Sequence, residues 1–383
     1  MIKSRGSHHA PGSLVQQTDV GATRRQFLRG AAAGIAFCGC GWPTFAAAQT
    51  AAPATPARRP VTVNGKQVKT IDVHSHCLFH EATALLGDDA SRIGGGARGG
   101  QDVYIDLDTR LKAMDSQAID LEVLSINPFW YGRDRDLAAK IVQVQNEKLA
   151  DFVTAHRDRF AAFASLTLQD PQLAVQELET AVKRQGLRGA AIGGTVMSVP
   201  FSDPKFHPVW HKAEELGAVL FIHPQGFPEI APLLSGNGFL RNVIGNPLET
   251  TLALSHLIFE GTLDRFPGLK IIAAHGGGYL PSYAARSDHG CFVGERFCSK
   301  EIVLKKKPSE YLKGLYFDSL VFTPEGLRHL AAEVGASQIM VGSDVPFPWE
   351  AHPVDHVLAT TTLSDDEKIA ILGGNAAKLF NLT

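Results

Sequence analysis

The chain has 383 residues, 37 Lys+Arg against 39 Asp+Glu, and is 44% hydrophobic and 20% charged. That length fits one large domain or two small ones, and the near-neutral balance without basic tracts argues against nucleic acid or anionic membrane as a partner. Outside the extreme N-terminus no apolar run reaches membrane-spanning length.

The first element in chain order is a targeting segment. Thr23-Arg24-Arg25-Gln26-Phe27-Leu28-Arg29 precedes a Gly/Ala-rich apolar stretch from Gly30 to Phe45, and Ala46-Ala47-Ala48 offers a small-residue cleavage site before Gln49. Charged region, apolar region and A-x-A are the grammar of a secretory signal, and the twin arginine points to the Tat route. Residues 1–48 are therefore expected to be a twin-arginine signal peptide, leaving a periplasmic or secreted protein with no membrane attachment. A membrane anchor is disfavoured by the modest apolar length, and a lipoprotein through Cys38 or Cys40 is weaker still. Removal of residues 1–48 leaves 32 Lys+Arg against 38 Asp+Glu, a net charge of −6. An anionic substrate must then be met by a few placed arginines. Cys77, Cys291 and Cys298 remain, an odd, sparse set that reads as no disulfide framework and shows no metal-binding spacing.

Residues 49–66 are expected to form a linker, with the Ala/Pro-rich stretch 49–60 as a flexible tether. From residue 67 to 383, short β-branched runs alternate with amphipathic stretches. Strands are predicted at Lys69–Val73, Leu121–Ile126, Phe160–Ser165, Gly189–Ile192, Ala218–Ile222, Lys270–Ala274, Leu315–Asp318 and Ile339–Gly342. Helical patterns fall between them, at Leu137–His156, Pro171–Gln185, Pro208–Leu216 and Pro324–Val334. Eight strand–helix repeats favour an α/β fold of the (β/α)₈ TIM-barrel type, with a single catalytic domain. Two connections are long, Cys77 to Asp108 with its glycine clusters and Gln225 to Pro247. Both follow a strand's C-terminal end, where barrel enzymes build their sites.

Chemistry gathers at the strand ends. In Ile71-Asp72-Val73-His74-Ser75-His76 the two histidines are two apart and share a face, which predicts Ile71 and Val73 turned toward the helices and the histidines toward the interior. Three more predicted strands finish on a polar residue: Ala218–Ile222 on His223, Ile271–Ala274 on His275, and Ile339–Gly342 on Ser343-Asp344. Any one of these is an ordinary hydrogen-bonded loop residue; as a set, at strands one, five, six and eight, they point to a buried polar site.

D-x-H-x-H, a later H-P, A-H-G-G-G and G-S-D-x-P-F-P together resemble the amidohydrolase superfamily, and within it the α-amino-β-carboxymuconate-ε-semialdehyde decarboxylase branch. The resemblance runs from about Thr70 to Leu382. It implies that His74, His76, His223 and Asp344 bind one divalent metal, and that His275 handles the proton of the metal-bound water. Three neutral imidazoles and a carboxylate suit Zn²⁺, and mixed nitrogen and oxygen ligands leave Mn²⁺ open. No lysine ends strand four, where Ala191-Ile192-Gly193-Gly194 stands, so one metal is expected rather than two. The resemblance also implies two substrate-binding arginines, placed by ungapped counting at Arg98 and Arg286, the second crossing a homodimer interface. The chain departs from the branch at Gln225, where a tryptophan is usual, in the long Gln225–Pro247 loop, and in its signal peptide. Those departures leave the substrate open.

These readings converge on a metal-dependent, non-oxidative decarboxylase of an unsaturated or aromatic carboxylic acid, a small-molecule substrate held by arginines. The rival reading is a metal-dependent hydrolase of an ester, lactone or amide, since the same water and base can attack an acyl carbon.

Overall fold

The fold is described from a computed structural model, in which residues 58–94, 102–226 and 228–382 are described. It opens with an antiparallel hairpin, β1 (Val61–Val63) paired with β2 (Lys66–Val68). Asn64 and Gly65 between them both have positive φ, as a two-residue hairpin turn of this hand requires. The expected linker 49–66 therefore ends in folded structure. Asn-Gly between alternating valines was the signal for it.

Eight parallel barrel strands follow: β3 (Ile71–His76), β4 (Leu121–Ser125), β5 (Phe160–Ala162), β6 (Gly189–Ile192), β7 (Val219–Ile222), β8 (Lys270–Ala273), β9 (Tyr316–Asp318) and β10 (Ile339–Met340). They pair in the orders β3-β4-β5 and β6-β7-β8-β9-β10. Short parallel bridges join the two sets, Ala164 with Ala190 on one side and Asp72 with Val341 on the other. Val73 N–H donates to the Val341 carbonyl at 2.9 Å and Ala164 N–H to that of Gly189 at 2.8 Å, so the sheet closes on itself as a (β/α)₈ barrel.

Helices form where the pattern placed them. Arg135–Ala155, Pro171–Lys183 and Pro324–Val334 are capped by Asp134, Asp170 and Thr323, each accepting a backbone N–H of the first turn. Among the described residues no helix is long and apolar enough to cross a membrane.

Side-chain parity on β3 differs from expectation. Ile71 and Val73 pack with Val123, Phe163, Phe221 and Met340 in one cluster drawn from strands around the barrel, which only the interior can assemble. The register of β3 against β4 shifts between Asp72 and Ser75. This bulge inserts one residue, so Ile71 and Val73 fill the interior while His74 and His76 still cap it. At the strand starts, Leu379 and Phe380 of the C-terminal helix Asn375–Phe380 plug the same interior.

Cys291 and Cys298 form a disulfide, contrary to the sequence reading. The helix Ala284–Val293 ends at Gly294, and the turn Glu295–Phe297 brings the two Cα atoms to 5.7 Å, within bonding range. Cys77 is free and buried.

Candidate active site

The expected histidines and aspartate meet at the C-terminal mouth of the barrel. His74 Nε2 lies 3.3 Å from His76 Nε2 and 3.3 Å from Asp344 Oδ1. His76 Nε2 is 2.7 Å from Asp344 Oδ1, and His275 Nε2 is 3.6 Å from Asp344 Oδ2. One ligand atom from each of His74, His223, His275 and Asp344 lies within 4.8 Å of the others. His223 follows the inward parity of Val219 and Phe221 on β7. His275 and Asp344 instead sit at φ 56° and 63°, left-handed conformations that re-aim their side chains at the strand tips.

The donor set fits a divalent cation. Among the described residues, both nitrogens of the buried His223 ring lack a hydrogen-bond partner, as do His76 Nδ1 and His275 Nδ1. Each orphaned buried polar atom costs about 1–3 kcal/mol, and several nitrogen lone pairs turned on one point would repel without a positive charge between them. Burial, reinforced by the neighbouring imidazoles, holds His223 well below its ordinary pKa, in the neutral form that a ligand needs. Burial also penalises the Asp344 carboxylate, but His74, His275 and His76 outweigh it and hold the group well below the usual carboxylate range.

Asp318, which ends β9, organises this cluster. Its Oδ2 accepts from His74 Nδ1 at 2.7 Å, fixing the tautomer that presents Nε2 to the centre. It also accepts from the backbone N–H of His275 at 2.9 Å and of Gly276 at 2.8 Å. Sequence reading passed over Asp318, although it meets the same strand-tip criterion as His223 and Asp344. Gly342 explains part of the G-S-D motif, since a Cβ there would lie 2.7 Å from the Cβ of Asp318 and 3.1 Å from that of His74. In the His275-Gly-Gly-Gly run, Gly278 has φ +68°, and a Cβ there would meet the Pro247 carbonyl oxygen at 2.2 Å.

Two buried charged groups hold the surrounding loops, and neither was legible as such. Arg110 ion-pairs with Glu122 at 2.7 Å and donates to the His76 carbonyl at 2.7 Å, clamping the end of β3. Glu249 accepts from the backbone N–H of Gly194 at 3.1 Å, Gln225 at 2.9 Å and Gly226 at 2.7 Å, tying the loops after β6 and β7 together. Burial pushes its carboxyl up to about 7.

A cavity of about 450 Å³ opens over His223 and Asp344, with Phe239, Phe347 and Trp349 among its walls. A second lobe of about 380 Å³ reaches His76 and Tyr104, and a third of about 120 Å³ reaches His275 and Phe322. The rings of Phe239 and Trp349 are nearly parallel, 4° apart in plane, with centroids 6.1 Å apart. Arg286 lies exposed on the helix Ala284–Val293 and lines none of these lobes. Arg98 and residues 1–48, the expected signal peptide, lie outside the described residues.

Known proteins resemble this chain in sequence and in fold. The 2-amino-3-carboxymuconate-6-semialdehyde decarboxylase of Dictyostelium discoideum is 32% identical over 281 residues, covering 72% of this chain and 77% of that one. The crystal structure of 5-carboxyvanillate decarboxylase from Sphingomonas paucimobilis superposes with a TM-score of 0.75 at 27% identity, covering 82% of this chain and all of its own. A dihydroxybenzoic acid decarboxylase from Polaromonas sp. JS666, solved with bound manganese and 2-nitroresorcinol, gives 0.71 at 26% identity, over 82% of this chain and 97% of its own. The amidohydrolase family profile matches residues 71–382. The chain belongs to the amidohydrolase family, on its decarboxylase branch.

Proposed function

We propose that the chain is an exported, metal-dependent non-oxidative decarboxylase of aromatic carboxylic acids. In this reading His74, His76, His223 and Asp344 hold one divalent ion and His275 handles the proton. The observation that carries it is a largely buried cluster of four imidazoles and a carboxylate beneath a cavity walled by aromatic rings, with both His223 nitrogens unpaired among the described residues. When bound there, a divalent ion supplies a fixed positive charge that orients the substrate's oxygens and stabilises negative charge as it develops. Manganese in the Polaromonas relative makes Mn²⁺ the first ion to test, ahead of Zn²⁺.

The chain's own side chains supply the rest. Phe347 and Trp349 shield the ring from water, and His275 Nε2 stands 3.6 Å from Asp344 Oδ2, placed to deliver a proton to the ring. The bond between ring carbon and carboxylate breaks, its electron pair stays with the ring, and CO₂ departs. The proton from His275 takes the vacated position, and the imidazole recovers its proton from solvent. Hydrolysis of an ester, lactone or amide is the weaker reading, because the relatives described above are decarboxylases.

Export rests on Arg24-Arg25 with Ala46-Ala47-Ala48, and the Cys291–Cys298 disulfide supports it, since such bonds persist in oxidising compartments. A homodimer that shares Arg286 is supported by exposed Tyr283, Phe292 and Val293 on the same segment. Headspace CO₂ from the metal-loaded protein with hydroxybenzoates and muconate-type acids, run beside ester and lactone panels, tests the activity. Release from at least one acid is expected; hydrolysis without any CO₂ release would overturn it.

A further inference from the structure

The segment after β7 brings two asparagines to the wall of the cavity. Arg241–Gly245 forms one π-helical turn that runs directly into the helix Asn246–Phe259. The Asn246 backbone N–H donates to the Asn242 carbonyl, so the two residues sit one turn apart on one face. Both line the lobe that holds His223 and Asp344. Neither side-chain amide has a hydrogen-bond partner among the described residues. Each carboxamide offers an NH₂ donor group and a carbonyl acceptor to an occupant of the lobe.

Among the described residues the same wall carries no cation. Beyond the metal-binding cluster, the polar residues of this lobe are all carboxamides, Asn127, Gln225, Asn242 and Asn246; Arg241 lines a neighbouring lobe instead. Beyond the metal-binding cluster, a second carboxylate on the ring would be desolvated here with no counter-charge among the described residues of the lobe's own chain, which is costly. A phenolic hydroxyl both donates and accepts, and an amide satisfies both functions at once.

Resting on the decarboxylase reading, we propose that Asn242 and Asn246 are specificity-determining residues. They read a neutral hydroxyl on the substrate ring and select hydroxylated monocarboxylic acids over aromatic dicarboxylic acids. A carboxamide matched to a hydroxyl loses its partner when a methyl group of similar size takes that place. The loss corresponds to roughly five- to tenfold in affinity for one neutral hydrogen bond.

The test is calorimetric binding of resorcinol, m-cresol and isophthalate to the metal-loaded protein. The same titrations are made with Asn242→Leu/Asn246→Leu and with Asn242→Asp, each checked by thermal melting. The wild type is expected to bind resorcinol about fivefold or more tightly than m-cresol, and more tightly than isophthalate. The double leucine variant should lose the resorcinol preference. If that variant fails to fold, Asn242→Asp decides: its carboxylate still accepts from a hydroxyl, so resorcinol preference should persist while isophthalate binding falls further. No preference in the wild type, an undiminished preference in the folded leucine variant, a lost preference in Asn242→Asp, or isophthalate binding tightest would each overturn the inference. CO₂ release from 2,6-dihydroxybenzoate is measured on the same wild-type preparation. Its absence alongside intact resorcinol discrimination sinks the decarboxylase reading and leaves this one standing.

Discussion

Asp318→Asn preserves shape and removes charge at the residue that organises the site. In the structure Oδ2 serves His74 Nδ1 at 2.7 Å and the His275 N–H at 2.9 Å, while Oδ1 serves the N–H groups of Gly276 at 2.8 Å and Leu320 at 3.2 Å. Asparagine has one acceptor oxygen, so either rotamer turns its NH₂ against two donors. If the oxygen stays with Gly276 and Leu320, His74 loses its tautomer lock. If it stays with His74 and His275, the turn after His275 loosens. Two hydrogen bonds to a charged acceptor, at about 1.5–3 kcal/mol each, set an upper bound of about 3–6 kcal/mol on the loss in stability. An outer partner of a ligating histidine contributes about 10–100-fold to metal affinity. The variant should therefore melt several degrees below wild type and bind Mn²⁺ about tenfold or more weakly in competition with a fluorescent chelator. A melting point unchanged and an affinity within about threefold of wild type would refute this role for Asp318.

Three further outcomes are expected. His275→Ala should retain metal by elemental analysis yet lose about 10²–10⁴-fold in turnover; a metal-free variant would make His275 a ligand instead. Glu249 has its carboxyl raised from the ordinary 4.5 to about 7, so the folded state binds the proton more tightly than the unfolded chain does. Its contribution is most favourable below 4.5 and is lost as pH rises through 7, so wild type should lose melting temperature relative to Glu249→Gln over that window; a pH-independent difference would contradict it. Mixing inactive Arg286→Ala with inactive His275→Ala, under conditions of subunit exchange, should restore about a quarter of the wild-type sites by random pairing, because each mixed dimer regains one intact site. No recovery despite exchange would mean that Arg286 serves its own chain or nothing.

The barrel and the centre of its site were legible for one physical reason. Buried parallel strands read as apolar runs, and a polar residue at the end of such a run has no place in the core unless something satisfies it. That rule selected His74, His76, His223, His275 and Asp344, which the structure brings together, and it applied equally to Asp318. The side-chain parity of β3 was not legible, because the bulge between Asp72 and Ser75 changes register without a mark in composition. Nor were Arg110 and Glu249, whose roles depend on partners brought close only by the closed barrel, as with Gly194 at 55 positions from Glu249. Cys291 and Cys298 were misread for a related reason: a spacing of seven fits a bond only once Gly294 has ended the helix.

The most direct test of the central claim is turnover of carboxyl-¹³C-labelled 2,6-dihydroxybenzoate by the Mn²⁺-loaded protein in D₂O, with gas and ring products followed together. The account predicts one ¹³CO₂ per resorcinol formed, and one deuterium on the vacated ring carbon, delivered in place of the carboxylate. Intact labelled acid after prolonged incubation, across this and related hydroxylated acids, with ester or lactone cleavage by the same preparation, would contradict it.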